Sequence, residues 1–330
     1  MHAPDGFLNA GTAVATGAIS AGTVGVAMRQ AREELADKQV PLAGVAAAFV
    51  FAAQMINFPV AAGTTGHLLG GALAAILLGP SVGALVVTVV VVVQALVFAD
   101  GGLTALGYNV LNMAIVTSFG GYAVFRVLKR LLPTDSTGIA SAAGIAAGAS
   151  VVLSSMAFSL EWLFGATAPV AFDTVFGAMV GVHLLIGIGE GVVTALIVRA
   201  VLAARPDLVA GVWDVDRLQL QRDGQVGVRQ LLLVTVVIAF ALAAVGSQFA
   251  ASDPDGLERV ATDTGFAISA REHPLSSGLF ADYATDGVAN EDLSLAVAGA
   301  AGVAITLAVG AGVFAAARRR DRERRPTRVD

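Results

Sequence analysis

Long uncharged runs alternate with short polar breaks from one end of this sequence to the other. Val82 to Ala99 carries no charge and only Thr88 and Gln94 as polar interruptions. Leu231 to Ala251 is broken only by Thr235, Ser247 and Gln248. Each run approaches the ~20 residues that a helix needs to cross the hydrocarbon layer. Read in this way, the chain predicts nine helical segments, near residues 7–28, 41–57, 66–79, 81–99, 103–125, 138–163, 173–199, 230–250 and 292–316. The expected fold is all-α, a polytopic membrane helix bundle with about nine transmembrane segments. The segment at 66–79 is short and ends in the tight break Gly79-Pro80-Ser81. It reads either as a short crossing or as a half-helix, because irregular backbone at membrane depth is tolerated where protein buries it.

Counting that segment as a crossing puts the N-terminus outside and the C-terminus inside. The basic residues agree, since 18 of the 20 Lys and Arg then face the inner side, as the positive-inside bias requires. These are Arg29, Arg32 and Lys38, then Arg126, Lys129 and Arg130, then Arg199, Arg205, Arg217, Arg222 and Arg229, and the seven arginines from Arg318 to Arg328. Only Arg259 and Arg271 fall outside. The tail Arg318-Arg319-Arg320-Asp321-Arg322 directly follows an apolar helix, so it reads as a membrane anchor and not as a nucleic-acid patch. No Lys or Arg precedes Arg29, which argues against a cleaved secretory signal and for a retained Met1.

Composition agrees with the membrane assignment. Of the 330 residues, 56% are hydrophobic and 14% charged, with a mean hydropathy of +0.77, against about 25% charge in soluble domains. There is no cysteine, so a transition-metal site must use nitrogen or oxygen ligands. Two stretches interrupt the helices. Residues 200–229 form a polar inner linker, and residues 252–291 form an outer loop containing Asp253-Pro254-Asp255-Gly256-Leu257-Glu258. The chain is thus a seven-helix unit followed by helix, outer loop and helix. In the first helix Gly11, Ala13, Ala15, Gly17, Ala21 and Gly25 form rows of small residues. Such rows suit close packing within the bundle, or docking to another membrane subunit.

Candidate chemistry sits on four histidines, His2, His67, His183 and His273. A free Met1 amine, the His2 amide nitrogen and the His2 imidazole can close on one ion as fused chelate rings. His67 ends a polar, Gly-broken stretch on the same expected side and offers a fourth nitrogen. Four in-plane nitrogens suit Ni(II), Cu(II) or low-spin Co(II) and reject Mg²⁺ and Ca²⁺. The plainer alternative makes His2 a solvated terminal residue and His67 a helix cap. His183 and Glu190, seven residues apart on one helix face, are intramembrane ionisable groups; they read as a structural polar contact or as part of transport. His273 reads as solvated. The loop acids Asp253, Asp255, Glu258 and Asp263 either gather cations at an entrance or are simply solvated. Neither Lys38 nor Lys129 lies in a phosphate-cradling loop, so this chain has no ATP site of its own.

Three motifs together carry a resemblance. Met1-His2-Ala3-Pro4-Asp5-Gly6-Phe7-Leu8 resembles the amino-terminal signature of the cobalt/nickel permease subunit of energy-coupling-factor (ECF) transporters, apart from Ala3, where a β-branched residue is frequent. Asn57-Phe58-Pro59 with Gly63 to Gly71, and His183 to Gly191, resemble its second and third signatures. The distal part resembles the two-helix PDGLE domain. This resemblance implies a permease domain at 1–204, a cytoplasmic linker at 205–229, a PDGLE domain at 230–317 with its loop at 251–291, and a basic tail at 318–330. It implies no cofactor and no enzyme activity, but Co²⁺ or Ni²⁺ as transported substrate, held by Met1, His2 and His67. Asn57, Thr65, His183 and Glu190 are expected around that site, as supporting or structural polar groups. The implied partners are a transmembrane coupling subunit and two cytoplasmic ATPases, in a prokaryotic plasma membrane. Rival expectations are a membrane enzyme using His183 and Glu190, and a metal-binding assembly protein that does not transport.

Overall fold

A computed structural model describes residues 1–34, 40–61, 63–215 and 226–324, with backbone only at 32–34, 40 and 318–324. Lys38, Arg217, Arg222, Arg325 and Arg328 lie outside the described residues, as do the side chains of Arg32, Arg318, Arg319, Arg320, Arg322 and Arg324. The described residues are mostly helical: α1 (Ala10–Glu34), α2 (Val40–Gln54), α3 (Gly71–Leu78) and α4 (Pro80–Val97) come first. A continuous helix then runs through α5 (Leu106–Asn109), a π-helical stretch Val110–Gly120 and α6 (Gly121–Leu131). It is followed by α7 (Ser136–Gly165), α8 (Phe172–Ala204), α9 (Val228–Ala244), the short α10 (Gly256–Thr264) and α11 (Glu291–Arg324). Six of these segments are long and apolar enough to span a membrane; α2 and α9 are shorter apolar helices.

The segment expected at 66–79 is helical only over its second part. α3 has eight residues, about 12 Å of helix, far short of a ~30 Å hydrocarbon core. It survives because protein surrounds it: Gly71, Ala72, Leu73, Ala74, Ala75, Ile76 and Leu78 are all buried. Pro80 then opens α4, where its missing N–H costs nothing. The short helix leaves a buried amino-terminal end inside the bundle, and this end supports the site described below.

The row of small residues in α1 does not face inward as one stripe. Gly11, Ala15, Ala21 and Gly25 are exposed, while the buried positions are Thr16, Ser20, Ala27 and Ala31. Internal close packing holds where a Cβ on Gly107 would lie 2.6 Å from Gly17 and Ser20 Oγ donates to the Gly107 carbonyl at 2.7 Å, and where Gly165 leaves no room for a Cβ against Thr12. The inward positions are thus set by polar side chains that reach backbone, and the smallest residues fall on the opposite side. The last two long helices pack on the rest through α2: a Cβ on Gly44 would stand 3.2 Å from that of Ala311, and one on Gly302 would meet Phe51 and Phe98. Close helix contact of this kind needs glycine, since lipid tails supply no hydrophobic drive between helices.

Candidate metal centre

The amino-terminal segment is threaded into one end of the bundle. Met1, Ala3, Asp5, Gly6, Phe7 and Leu8 are buried. Asn109 pairs with both main-chain groups of residue 3, accepting from Ala3 N–H at 3.0 Å and donating Nδ2–H to Ala3 C=O at 3.0 Å. Asp5 accepts from Leu103 N–H, Thr104 N–H and the Thr104 hydroxyl, which ends the turn. Gly6, at φ +97°, passes against Ser269 O with no room for a Cβ. The His2 N–H finds no partner among the described residues, so this nitrogen stays free while its neighbours are tied down.

His67 arrives from the other direction. A two-residue hairpin pairs Phe58–Pro59 with Thr65–Gly66 and aims the next residue at the amino terminus. Glu190, fully buried on α8, accepts from Leu69 N–H at 2.6 Å and from Gly70 N–H at 2.9 Å. A carboxylate there answers the unpaired donors and the positive end of α3. From the opposite side Gln54 donates to Leu69 C=O at 2.9 Å and accepts from Gln94 at 2.8 Å. The segment 67–70 is therefore clamped on both edges.

The result is a compact nitrogen cluster. The Met1 amine lies 3.1 Å from His67 Nε2, and the His2 and His67 rings are 5.3 Å apart between centroids. His2 is not solvated: its side chain is 8% exposed, and Nδ1 is buried without a hydrogen-bond partner, 3.6 Å from Asp100 Oδ1. Burial pushes the His2 imidazole down to about 4, only partly offset by Asp100, so it is neutral with a free lone pair at ordinary pH. His67 does not cap a helix, since α3 begins at Gly71 behind Gly70. Among the described residues no group of three His, Asp or Glu side chains is placed to hold an ion. A metal here would draw on main-chain nitrogen.

The outer loop contributes a residue whose place beside His67 was missed in the sequence. Asp255 Oδ2 sits 2.5 Å from the Met1 amine and 3.8 Å from His67 Nε2. Its other oxygen accepts from Leu257 N–H and Glu258 N–H and so caps α10. Burial alone would raise this carboxyl, but the Met1 ammonium and His67 beside it hold it well below the usual carboxylate range. Its contribution to docking the loop is thus complete above an Asp's ordinary pKa of about 3.9 and declines only as pH falls below that. Thr65 and Asn57 turn out to serve the same docking. Thr65 N–H donates to Pro254 C=O, its hydroxyl donates to Asp253 C=O, both at 2.9 Å, and Asn57 C=O accepts from Ala251 N–H. Phe266 adds an aromatic anchor, 4.4 Å from Trp162 and 5.0 Å from Phe7 between centroids.

A cavity of about 870 Å³ lies against the cluster, with His2, His67, Asp100, Asp253, Asp255 and Glu258 in its wall. Asp263 instead pairs with Arg259 on the surface, and His273 is not simply solvated: it is half-buried, with Nδ1 accepting from Leu275 N–H and Nε2 buried without a partner among the described residues. His183 and Glu190 are not bonded to each other. His183 Nδ1 lies 2.8 Å from Met179 C=O, and both Glu190 oxygens are taken by the 69–70 amides. The two side chains therefore serve separate contacts. Glu161, bonded to Asn112 at 2.8 Å between α7 and the π-helical stretch, is a buried carboxyl that sequence reasoning passed over; its sequence neighbours Leu160 and Trp162 gave it no distinguishing context.

Asp255→Asn keeps an α10 cap but removes the charge at the amine. A charge-assisted hydrogen bond is worth roughly 1.5–3 kcal/mol, so amide exchange at Ala3 and Thr65 is expected to quicken by about tenfold or more, measured by hydrogen–deuterium exchange. Unchanged protection would separate the loop from the amino terminus energetically.

Comparison with known proteins places the chain in a family. Residues 2–208 match the family described as the cobalt uptake substrate-specific transmembrane region, and residues 229–319 match the PDGLE domain. A protein of Archaeoglobus fulgidus, provisionally named as a fused nickel transport protein, is 37% identical over 310 residues, covering 94% of this chain and 97% of its own. The cobalt transport protein CbiM of Sorangium cellulosum is 34% identical over 230 residues, covering 67% and 97% respectively. A crystal structure titled as a truncated transition metal transporter superposes with a TM-score of 0.54 at 33% identity, covering 61% of this chain and 98% of that one. With its buried amino terminus, its apolar helices and these matches, the chain is a multi-pass membrane protein that belongs to the cobalt uptake substrate-specific transmembrane family, joined to a PDGLE domain.

Proposed function

We propose that this protein is the substrate-specific membrane component of an ECF-type ABC transporter importing Co²⁺ or Ni²⁺, for cobalamin synthesis or for nickel enzymes. The observation that carries the reading is the 3.1 Å separation of the Met1 amine and His67 Nε2. Two nitrogens bound cis to one ion at about 2.0–2.1 Å stand roughly 3 Å apart, so the ion fits with little rearrangement. The Met1 amine, His2 amide and imidazole, and His67 form the donor set, and a late divalent ion is the cargo that such nitrogen selects. Asn57 and Thr65 hold the accessory loop over the site, and Glu190 holds the His67 segment.

The wall acids Asp100, Asp253 and Glu258 would concentrate cations at the mouth of the cavity. Asp255 would keep one N–H of the amine oriented after an ion takes the position it now shares with His67. Energy would come from two cytoplasmic ATPases through a transmembrane coupling subunit, because this chain carries no phosphate loop. The N-terminus and site face outward in a prokaryotic plasma membrane, with the permease domain at 1–204, the linker at 205–229, the PDGLE domain at 230–317 and the tail at 318–330. The open small-residue face of α1 is a candidate surface for the coupling subunit.

Accumulation of labelled Co²⁺ and Ni²⁺ in cells, with and without the ATPase subunits, tests the reading. Uptake that needs them supports it; binding without uptake in their presence supports an assembly protein. The pH dependence is a second test. Loading needs a free amine and displaces protons, so affinity for Co²⁺ rises with pH. Because burial holds His2 near 4, a competition titration should show no inflection from His2 between about pH 5 and 8.

A further inference from the structure

His183 is left over by the capture site, yet it is fully buried beside it. Its Nδ1 lies 2.8 Å from the Met179 carbonyl, an acceptor only, so Nδ1 carries the proton and Nε2 presents a lone pair. That Nε2 is buried with no partner among the described residues. It lines a void of about 10 Å³ whose other walls include Met1, His67, Asp255 and Gly256. The Met1 ammonium has three N–H groups, of which His67 and Asp255 account for two. An unanswered acceptor and an unanswered donor therefore share one small chamber.

We propose that this chamber is a built site for one ordered water, through which His183 holds the Met1 amine in its coordinating orientation. A chamber of this volume is at the threshold for a single water. The water accepts from the third amine N–H, donates one hydrogen to His183 Nε2 and has the Asp255 carboxylate as a third polar neighbour. Two to four such partners are what buried waters have. Gly256 is part of the site, because a Cβ there would stand 3.0 Å from His183 Cε1, 3.1 Å from its Nε2 and 2.6 Å from Ile186 Cδ1. The glycine of the Asp255-Gly256 pair keeps the chamber open from the loop side, as His183 keeps it polar from the bundle side. His183 is then a positioning residue that acts on the amine and does not touch the ion.

The inference rests on the Met1 amine being a ligand, and the test separates the two. Purified full-length protein is titrated with Co²⁺ alone, and its melting temperature is followed in parallel. His183→Leu should weaken Co²⁺ binding by about 10- to 100-fold, the usual effect of losing a group that orients a ligand. Its melting temperature should change little, because an apolar side chain fills the imidazole's place and the water it held leaves with it. His183→Gln, which keeps an acceptor, should retain affinity within a few-fold, and Gly256→Ala should fall with the leucine variant. Native affinity in His183→Leu overturns the proposal. So does an equal loss in both His183 variants that follows a drop in melting temperature, since that would mark packing alone. Native protein that binds Co²⁺ equally well after its amine is blocked by acetylation overturns instead the ligand assignment on which the proposal rests.

Discussion

Replacing His67 by alanine is expected to abolish capture of Co²⁺ and Ni²⁺ while the bundle still folds. One of four nitrogens disappears, and its place beside the Met1 amine is left to water. Groups that merely orient a ligand cost about 10- to 100-fold when removed, so loss of a ligand itself should exceed about 100-fold in affinity. The side chain is 6% exposed and its hydrogen bonds run to the Met1 amine and to its neighbour Leu68, so the cost to the fold is local. Inserting one residue before His2 should be as severe. It carries the amine one Cα–Cα step, about 3.8 Å, out of the fused rings. Titration with Co²⁺ and cellular accumulation read both variants; normal uptake in either one removes the site from consideration.

Glu190→Ala carries the second large effect, and it acts on position rather than on ligation. The carboxylate holds Leu69 N–H and Gly70 N–H at the buried start of the short helix α3. Removing it leaves two buried donors, each costing roughly 1–3 kcal/mol, so several kcal/mol of stability should be lost. The His67 segment then keeps only its Gln54 edge, and Co²⁺ affinity should fall by at least about tenfold. Glu190→Gln does not rescue it, because one of its two terminal groups is itself a donor facing a donor. Thermal melting in detergent and Co²⁺ titration measure the two effects. Intact metal binding in Glu190→Gln, with loss of some chemical turnover, would revive the membrane-enzyme reading.

Why were the helices and the nitrogen cluster legible while Asp255 and Gln54 were not? Runs such as Val82 to Ala99 report the solvent of each position directly, since charge is expelled from lipid wherever the chain goes. The chelating atoms of Met1 and His2 are adjacent along the chain, so their chemistry is local. His67 was recognisable through its Gly-broken approach and through the family motif, although its 3.1 Å approach to the amine was not. Asp255 meets the amine across 254 positions, and although the Pro-Asp-Gly-Leu-Glu run sets it apart from Asp263, which pairs with Arg259 on the surface, a local run names no partner so distant. Gln54 and Gln94 look like tolerated polar interruptions until α2 and α4 bring them together on Leu69.

The amino-acid order was thus sufficient for class, the approximate courses of the long apolar helices and the kind of atoms available to a metal, because these depend on each residue's own affinity for lipid, water or a cation. The folded chain had to settle three further points. α3 is helical only from Gly71, the accessory loop closes on the amino terminus, and Gly11, Ala15, Ala21 and Gly25 of α1 look outward while Thr16 and Ser20 look in. Each is a choice among partners far apart along the chain. Such choices follow from which buried donors and acceptors can all be answered at once, a condition on the whole packing that no single segment carries.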